Sequence, residues 1–184
     1  MVTVWRPAAI RYEAYRLLPE DGKRYELIDG ELLESASPGI RHQSVVAQLL
    51  FELMKALEQP GLAQIFPPCT DLVLSTTDAV QPDLTIIGTA RASIITDRAI
   101  EGVPDVVVEI LSPTSLDRDR YIKKRLYQKF GILEYWVVDP ETDTIVVHRL
   151  DQGSYGIRAH HDRASTLECP EFPTLRVPLL EIFR

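Results

Sequence analysis

The chain has 184 residues, 45% of them hydrophobic and 26% charged, with a net charge of −7 and two cysteines, Cys69 and Cys169. A chain of that size buries a real core as one domain without disulfides, and two distant cysteines exclude a disulfide scaffold or a cysteine-built zinc site. The acidity argues against a protein that coats nucleic acid, but not against an enzyme that needs acidic metal ligands and only a local basic surface. No apolar run approaches the roughly 20 residues of a membrane helix. Met1 to Pro7 lacks the apolar stretch of a signal peptide, so a cytoplasmic protein without a membrane partner is expected.

Along the chain, 8–18 reads as a short helix closed by Pro19 and the turn residues Asp21-Gly22. Tyr25 to Ile28 and Glu31 to Leu33 flank Asp29-Gly30, a strong hairpin signal. The loop 35–39 follows, with Ser37 available as a helix cap. The clearest helix is 42–58, where Val45, Leu49, Leu53 and Leu57 recur every four residues before Pro60-Gly61. Strands are expected at 63–66, 70–74, 83–87 and 105–111, the last almost continuously apolar, as befits a strand covered on both faces. A helix over 119–130, capped by Gly131, and a strand over 134–138 complete a βαβ unit with parallel strands. Residues 144–150 and 155–160 form a hairpin around Asp151-Gln152-Gly153, and the Pro-rich tail 170–184 docks on the body.

Two carboxylates stand out. Asp83 opens an apolar strand after Pro82, and Glu109 lies inside Val-Val-Val-Glu-Ile-Leu. A carboxylate among β-branched residues is costly to bury unless it is paired or bound to metal. A structural ion pair and a functional site both meet that condition. Asp105 shares the face of Glu109 but sits four residues away, about 13 Å along a strand, too far to share one cation. It reads as a strand-start residue. Asp83, on a neighbouring strand, can approach Glu109 laterally.

The helix 119–130 buries Ile122, Leu126 and Phe130, and Asp119, Lys123 and Tyr127 run beside that stripe. Lys123 is placed to reach back over the sheet, or to snorkel as a lysine on any amphipathic helix does. Arg120 and Lys124 project further towards solvent. His42, opening the helix 42–58, is either a structural contact or a group that meets a metal-bound water or phosphate. Glu31 is either a solvated hairpin carboxylate or a further metal ligand.

Six pieces occur in order: Tyr25-Glu26-Leu27-Ile28-Asp29-Gly30-Glu31-Leu32; His42; Gln81-Pro82-Asp83-Leu84; Val107 to Pro113; Asp119 with Lys123 and Tyr127; and Glu134 to Pro140. Together they resemble the bacterial restriction endonuclease domain family of the Uma type, within the PD-(D/E)XK nuclease superfamily. The resemblance covers about residues 8–150. It implies an α/β (α+β) fold with a restriction-endonuclease-like core, a mixed β-sheet flanked by helices, and extra β-hairpins at both ends. One domain is expected over 1–184, with its core at about 25–150 and a C-terminal β extension over 151–184.

The resemblance also implies a catalytic set. Pro82-Asp83 matches the PD element and Glu109 the acidic position of (D/E)XK. Leu111 stands where the superfamily keeps its lysine, so Lys123 is implied as the replacement from the helix. Asp83 and Glu109 would hold Mg²⁺, or Mn²⁺, helped by a backbone carbonyl near Ile110. Lys123 would orient water or stabilise developing charge. Glu31, His42 and Tyr127 would support the site. Arg120 and Lys124, with Arg118, Arg125 and Lys129, would hold the phosphate backbone, or form only a solvated face. The expected partner is nucleic acid, DNA first, and the expected assembly a homodimer. The rival from another class is a non-catalytic binding or assembly module that keeps the nuclease fold. A metal-independent hydrolase built on Ser112 is poorly supported, for no Gly-x-Ser-x-Gly element occurs.

Overall fold

The computed structural model describes residues 8–19, 21–35, 38–112 and 117–184, the side chains of 35 and 117–120 apart. Ser37, Met1 to Pro7 and Pro113 therefore lie outside the described residues, as do the side chains of Arg118, Asp119 and Arg120. In chain order the elements are α1 (Tyr12–Tyr15), β1 (Arg24–Ile28), β2 (Glu31–Ser35), α2 (Ile40–Leu53), β3 (Ala63–Phe66), β4 (Leu72–Ser75), β5 (Asp78–Val80), β6 (Leu84–Gly88), β7 (Ile100–Glu101) and β8 (Val106–Ile110). Then come α3 (Asp117–Phe130), β9 (Glu134–Asp139), β10 (Thr144–Asp151), β11 (Ser154–His161), β12 (Thr166–Cys169) and β13 (Phe172–Pro178). A π-helical turn, Met54–Glu58, prolongs α2.

The expected mixed β-structure flanked by helices is present, divided between two large sheets. One has the order β2-β1-β5-β4-β7, the other β11-β10-β9-β8-β6-β3, and β12 pairs with β13 apart from both. Each large sheet has one parallel pair, β4 with β7 and β8 with β9, among antiparallel neighbours. The β8–α3–β9 unit is the parallel crossover that the sequence leads one to expect. Helix 8–18 shrinks to one turn, Tyr12–Tyr15. Its amphipathic signal is short, and short helices depend on packing more than on propensity.

Both faces of the six-stranded sheet are covered, which is why its central strands lack polar alternation. Leu84, Ile86, Val106 and Val108 pack with Val45 and Leu49 of α2 and with Leu167, Leu175 and Val177 of the C-terminal hairpin. On the other face Ile87 and Val107 pack with Leu126 and Tyr127 of α3 and with Ile28, Leu72 and Val80 of the five-stranded sheet. This second layer, between the two sheets and beneath α3, is where the buried carboxylates meet.

Two turns fix the approach to that layer. Asp29 and Gly30 both have positive φ, 50° and 78°, as a tight primed hairpin turn requires. A Cβ on Gly30 would lie 2.5 Å from the Ala9 Cβ, so the N-terminal segment also needs glycine there. Gly131, at φ 78°, ends α3 in the left-handed conformation. Among the described residues, no helix is long and apolar enough to cross a membrane.

Candidate functional site

The site starts from strand register. Leu84 pairs with Val108 in the antiparallel β6–β8 ladder, so Asp83, one step before β6, stands across from Glu109. Directly opposed residues in such a pair share a face. Asp83 is 6% exposed and Glu109 9% exposed. Pro82 precedes the strand, and the Asp83 carboxylate takes over the ladder where the strand backbone has ended: its Oδ2 accepts the Ile110 N–H at 2.8 Å. The same oxygen lies 3.1 Å from Nε2 of His42, which α2 brings in from the opposite layer. Facing a carboxylate, that nitrogen carries the proton and donates. His42 Nδ1 is buried without a partner among the described residues.

Glu109 is held from α3. Lys123 and Tyr127, one turn apart, share a helix face. The Lys123 ammonium donates to both Glu109 oxygens, at 3.0 and 3.1 Å, and the Tyr127 hydroxyl donates to Oε1 at 2.6 Å. Sequence phasing thus brings Lys123 to the carboxylates despite Leu111. A second carboxylate partner of Lys123, Glu26, comes from β1. Its Oε1 lies 2.9 Å from the same ammonium and accepts the Gln81 N–H at 3.0 Å.

Glu26 is the residue that the sequence reading passes over in favour of Glu31. Glu31 is exposed at the start of β2, whereas Glu26 is 6% exposed. The signal was available: Glu26 is followed by Leu27 and Ile28, which are buried on both faces of β1, so like Glu109 it is a carboxylate in an enclosed strand. Asp105 is confirmed as a strand-start residue, accepting the Gly88 N–H at 2.7 Å and pairing with Arg91 at 2.9 Å. The basic helix face is less uniform than expected. Lys129 is engaged by Asp29 at 2.7 Å and Asp78 at 3.5 Å, Lys124 is half-buried and Arg125 is exposed.

The electrostatics follow from burial. Two carboxylates, Glu26 and Glu109, share the Lys123 ammonium, and Asp83 adds a third negative charge beside Glu109. Burial raises the Glu109 carboxyl to about 7, and Asp83 and Glu26 push in the same direction, while Lys123 and the Tyr127 hydroxyl oppose them. Lys123 is held cationic well above its ordinary range: Glu109 and Glu26 outweigh the cost of burying it. The two shifts point opposite ways for the ion pair. Lys123 faces two carboxylates, whereas Glu109 shares that one ammonium with Glu26. The same burial and the Glu109 charge raise the Tyr127 hydroxyl, keeping it a donor.

Residues 12–180 match the Uma2 family, described as putative restriction endonuclease. The chain belongs to that family. The fold is shared with a crystal structure of a putative nuclease belonging to DUF820 from Anabaena variabilis. That protein is 20% identical, with a TM-score of 0.78 over 95% of this chain and 97% of the other. No curated protein matches the chain.

Restriction-endonuclease-like folds such as that of the Uma2 family imply a divalent cation. Among the described residues, no group of three or more histidine, cysteine, aspartate or glutamate side chains is arranged around one ion position. The residues that could hold such a cation are the opposed carboxylates Asp83 and Glu109. They fit a hard cation of the Mg²⁺ type, which needs only one or two carboxylates and retains waters. The fit rests on charge as well as ligand type, because an added cation would offset the excess of buried carboxylate around Lys123.

Proposed function

We propose that the protein is a divalent-metal-dependent endonuclease that hydrolyses phosphodiester bonds of nucleic acid, with DNA as the substrate class. The observation that carries this reading is the convergence of Asp83, Glu109 and Lys123 in one buried cluster, with Leu111 in the place of the usual lysine. Family membership and the nuclease fold support a nuclease in general; Mg²⁺ or Mn²⁺ and DNA are the finer part of the reading. The proposed unit is one domain over 1–184, with 151–184 as its C-terminal β extension.

Asp83 and Glu109 would hold the cation. When bound, it supplies Lewis-acid polarisation of the phosphate and a more acidic water. His42 and the Ile110 N–H fix the Asp83 carboxylate by donating to Oδ2, and Tyr127 fixes Glu109 by donating to Oε1. Lys123, paired with Glu109, would stabilise charge developing on a phosphate oxygen. Glu26 keeps that ammonium in place from the other sheet. Lys124 and Arg125, with Arg120 beside them in α3, would guide the strand backbone.

One observation favours a second reading, a non-catalytic module: the ammonium is already engaged by two carboxylates. The two separate in one assay. Plasmid and single-stranded DNA are incubated with Mg²⁺ or Mn²⁺ and the parent, Asp83→Ala or Lys123→Ala protein. Metal-dependent cleavage by the parent alone supports the nuclease. DNA binding without cleavage by the parent supports the module.

A further inference from the structure

Arg24 has an unmet hydrogen-bonding demand. Its Nε is buried without a partner among the described residues, and Nη2 makes one long contact, 3.4 Å, to the Gln81 carbonyl. The guanidinium lines a cleft of about 690 Å³ shared with Tyr12, Tyr15, Tyr25, Arg16 and Arg98. Tyr12 and Tyr15 stack with centroids 5.8 Å apart and planes 24° apart, and the Arg16 guanidinium lies 5.9 Å from the Tyr12 centroid. Arg16 and Arg98 are exposed. Lys23 also reaches the cleft but is paired with Glu34 at 2.8 Å. Among the described residues the lining has one acidic side chain, Asp71, which is occupied by the Tyr12 hydroxyl at 3.0 Å and the Gln81 side-chain amide at 2.9 Å.

The cleft abuts the carboxylate site through Gln81. That residue lines the cleft, gives its backbone N–H to Glu26, and lies two positions before Asp83. The half-buried rings of Tyr12 and Tyr25 offer flat faces on which a base of any sequence can stack, with Tyr15 buried behind Tyr12. Three arginines offer the fork that phosphate accepts and planes that add to stacking. A duplex hides its base faces, so this chemistry addresses a strand whose bases are unstacked.

We propose that the cleft binds one unstacked nucleotide of a single strand, its base against the tyrosines and its phosphate at Arg24 and Arg98, next to the carboxylate site. The inference takes its substrate class from the nuclease reading and deepens it. It makes single-stranded or locally opened nucleic acid the preferred ligand.

Cys69 supplies the reporter, since it is exposed and lines the same cleft, while Cys169 is buried. The full chain is labelled with a maleimide in EDTA, alone or with a short oligothymidylate or a blunt duplex. The single strand should slow Cys69 labelling about tenfold at saturation and the duplex should not. Tyr12→Leu and Arg98→Gln should each raise the oligonucleotide concentration needed by about tenfold, within the range that a lost base stack or phosphate contact commands. Arg98 is at the surface, and unreactive Cys169 reports that each variant is folded. Unchanged Cys69 labelling at saturating oligothymidylate, or equal affinity in both variants, overturns the proposal. Protection without any metal-dependent cleavage supports the cleft and refutes only the catalytic reading. Cleavage without protection overturns the cleft alone.

Discussion

The Lys123 ammonium joins Glu109 of β8 to Glu26 of β1, at 3.0 and 2.9 Å, and so ties the two sheets together at the point where they meet α3. From helix phase alone, Lys123 sits at the rim of a buried stripe, where truncation would cost little. The structure changes that expectation. Its side chain is 16% exposed and compensates two buried carboxylates. Lys123→Ala should therefore destabilise the fold by about 3–5 kcal/mol, the scale of breaking a buried ion pair from one side. Cleavage should fall at least about 10²-fold. Adding Glu26→Gln to Lys123→Met should restore much of the stability and none of the cleavage. Urea unfolding that finds Lys123→Ala as stable as the parent would show that these pairs contribute nothing net.

Glu26 and Glu31 make opposite predictions. Glu26→Gln removes one of the two anions that hold Lys123, and it leaves Glu109 as the sole carboxylate partner there. A drop in cleavage of roughly tenfold or more is expected, on the scale of loosening one preorganised charge. Glu31→Gln, on an exposed hairpin residue, should cleave like the parent. Equal losses in both variants would place the functional carboxylate on β2 rather than on β1.

His42 acts on Asp83 and not on the strand ladder. Its Nε2 donates to the oxygen that also takes the Ile110 N–H. Removing such an orienting partner commonly weakens a metal site by about 10–100-fold. His42→Ala should accordingly raise the Mg²⁺ concentration for half-maximal cleavage by that factor, with a smaller loss at saturating Mg²⁺. If the metal titration is unchanged while stability falls, His42 serves packing only.

Much of this arrangement was legible in the sequence, for physical reasons that differ by residue. The strands holding Asp83 and Glu109 announce themselves because both faces are covered, and Lys123 is found from helix phase once Tyr127 and Leu126 are placed. Glu26 escaped because the Asp29-Gly30 turn draws attention to the carboxylate after it, whereas burial selects the one before it. β5 and β7 escaped because strands of three and two residues carry no measurable periodicity. The C-terminal extension is expected to be β, but its strand bounds stay unassigned because a Pro-rich register masks alternation, although Leu175 and Val177 face the core in the expected period of two. No local pattern foretells that the mixed sheet is two sheets, since β1 reaches β5 only through tertiary pairing.

His148 gives the last prediction, one of pH and stability. It is 8% exposed on β10, with its ring 5.8 Å from that of Tyr135 and 6.3 Å from that of Tyr155. Its Nδ1 is buried without a partner among the described residues. Burial, reinforced by the nearby Lys124 charge, lowers it to about 4 from an ordinary 6.5. A group depressed on folding contributes stability above its unfolded value and loses it as pH falls through its folded value. The parent should thus lose His148's contribution between pH 6.5 and pH 4. Because Glu109 is raised and titrates with the opposite sign over part of that window, the parent's own profile mixes the two. His148→Phe isolates the histidine: the ring can still stack, and nothing there takes up a proton. At pH 7.5 the variant should lie within about 1.5 kcal/mol of the parent, as volume-conserving core changes do. Towards pH 4.5 it should gain on the parent by about 1–3 kcal/mol, or roughly 2–4 °C of Tm per kcal/mol in a chain of this size. Thermal melts of both proteins across pH 4.5–7.5 measure the difference, and a constant gap would mean that His148 titrates alike in the folded and unfolded chain.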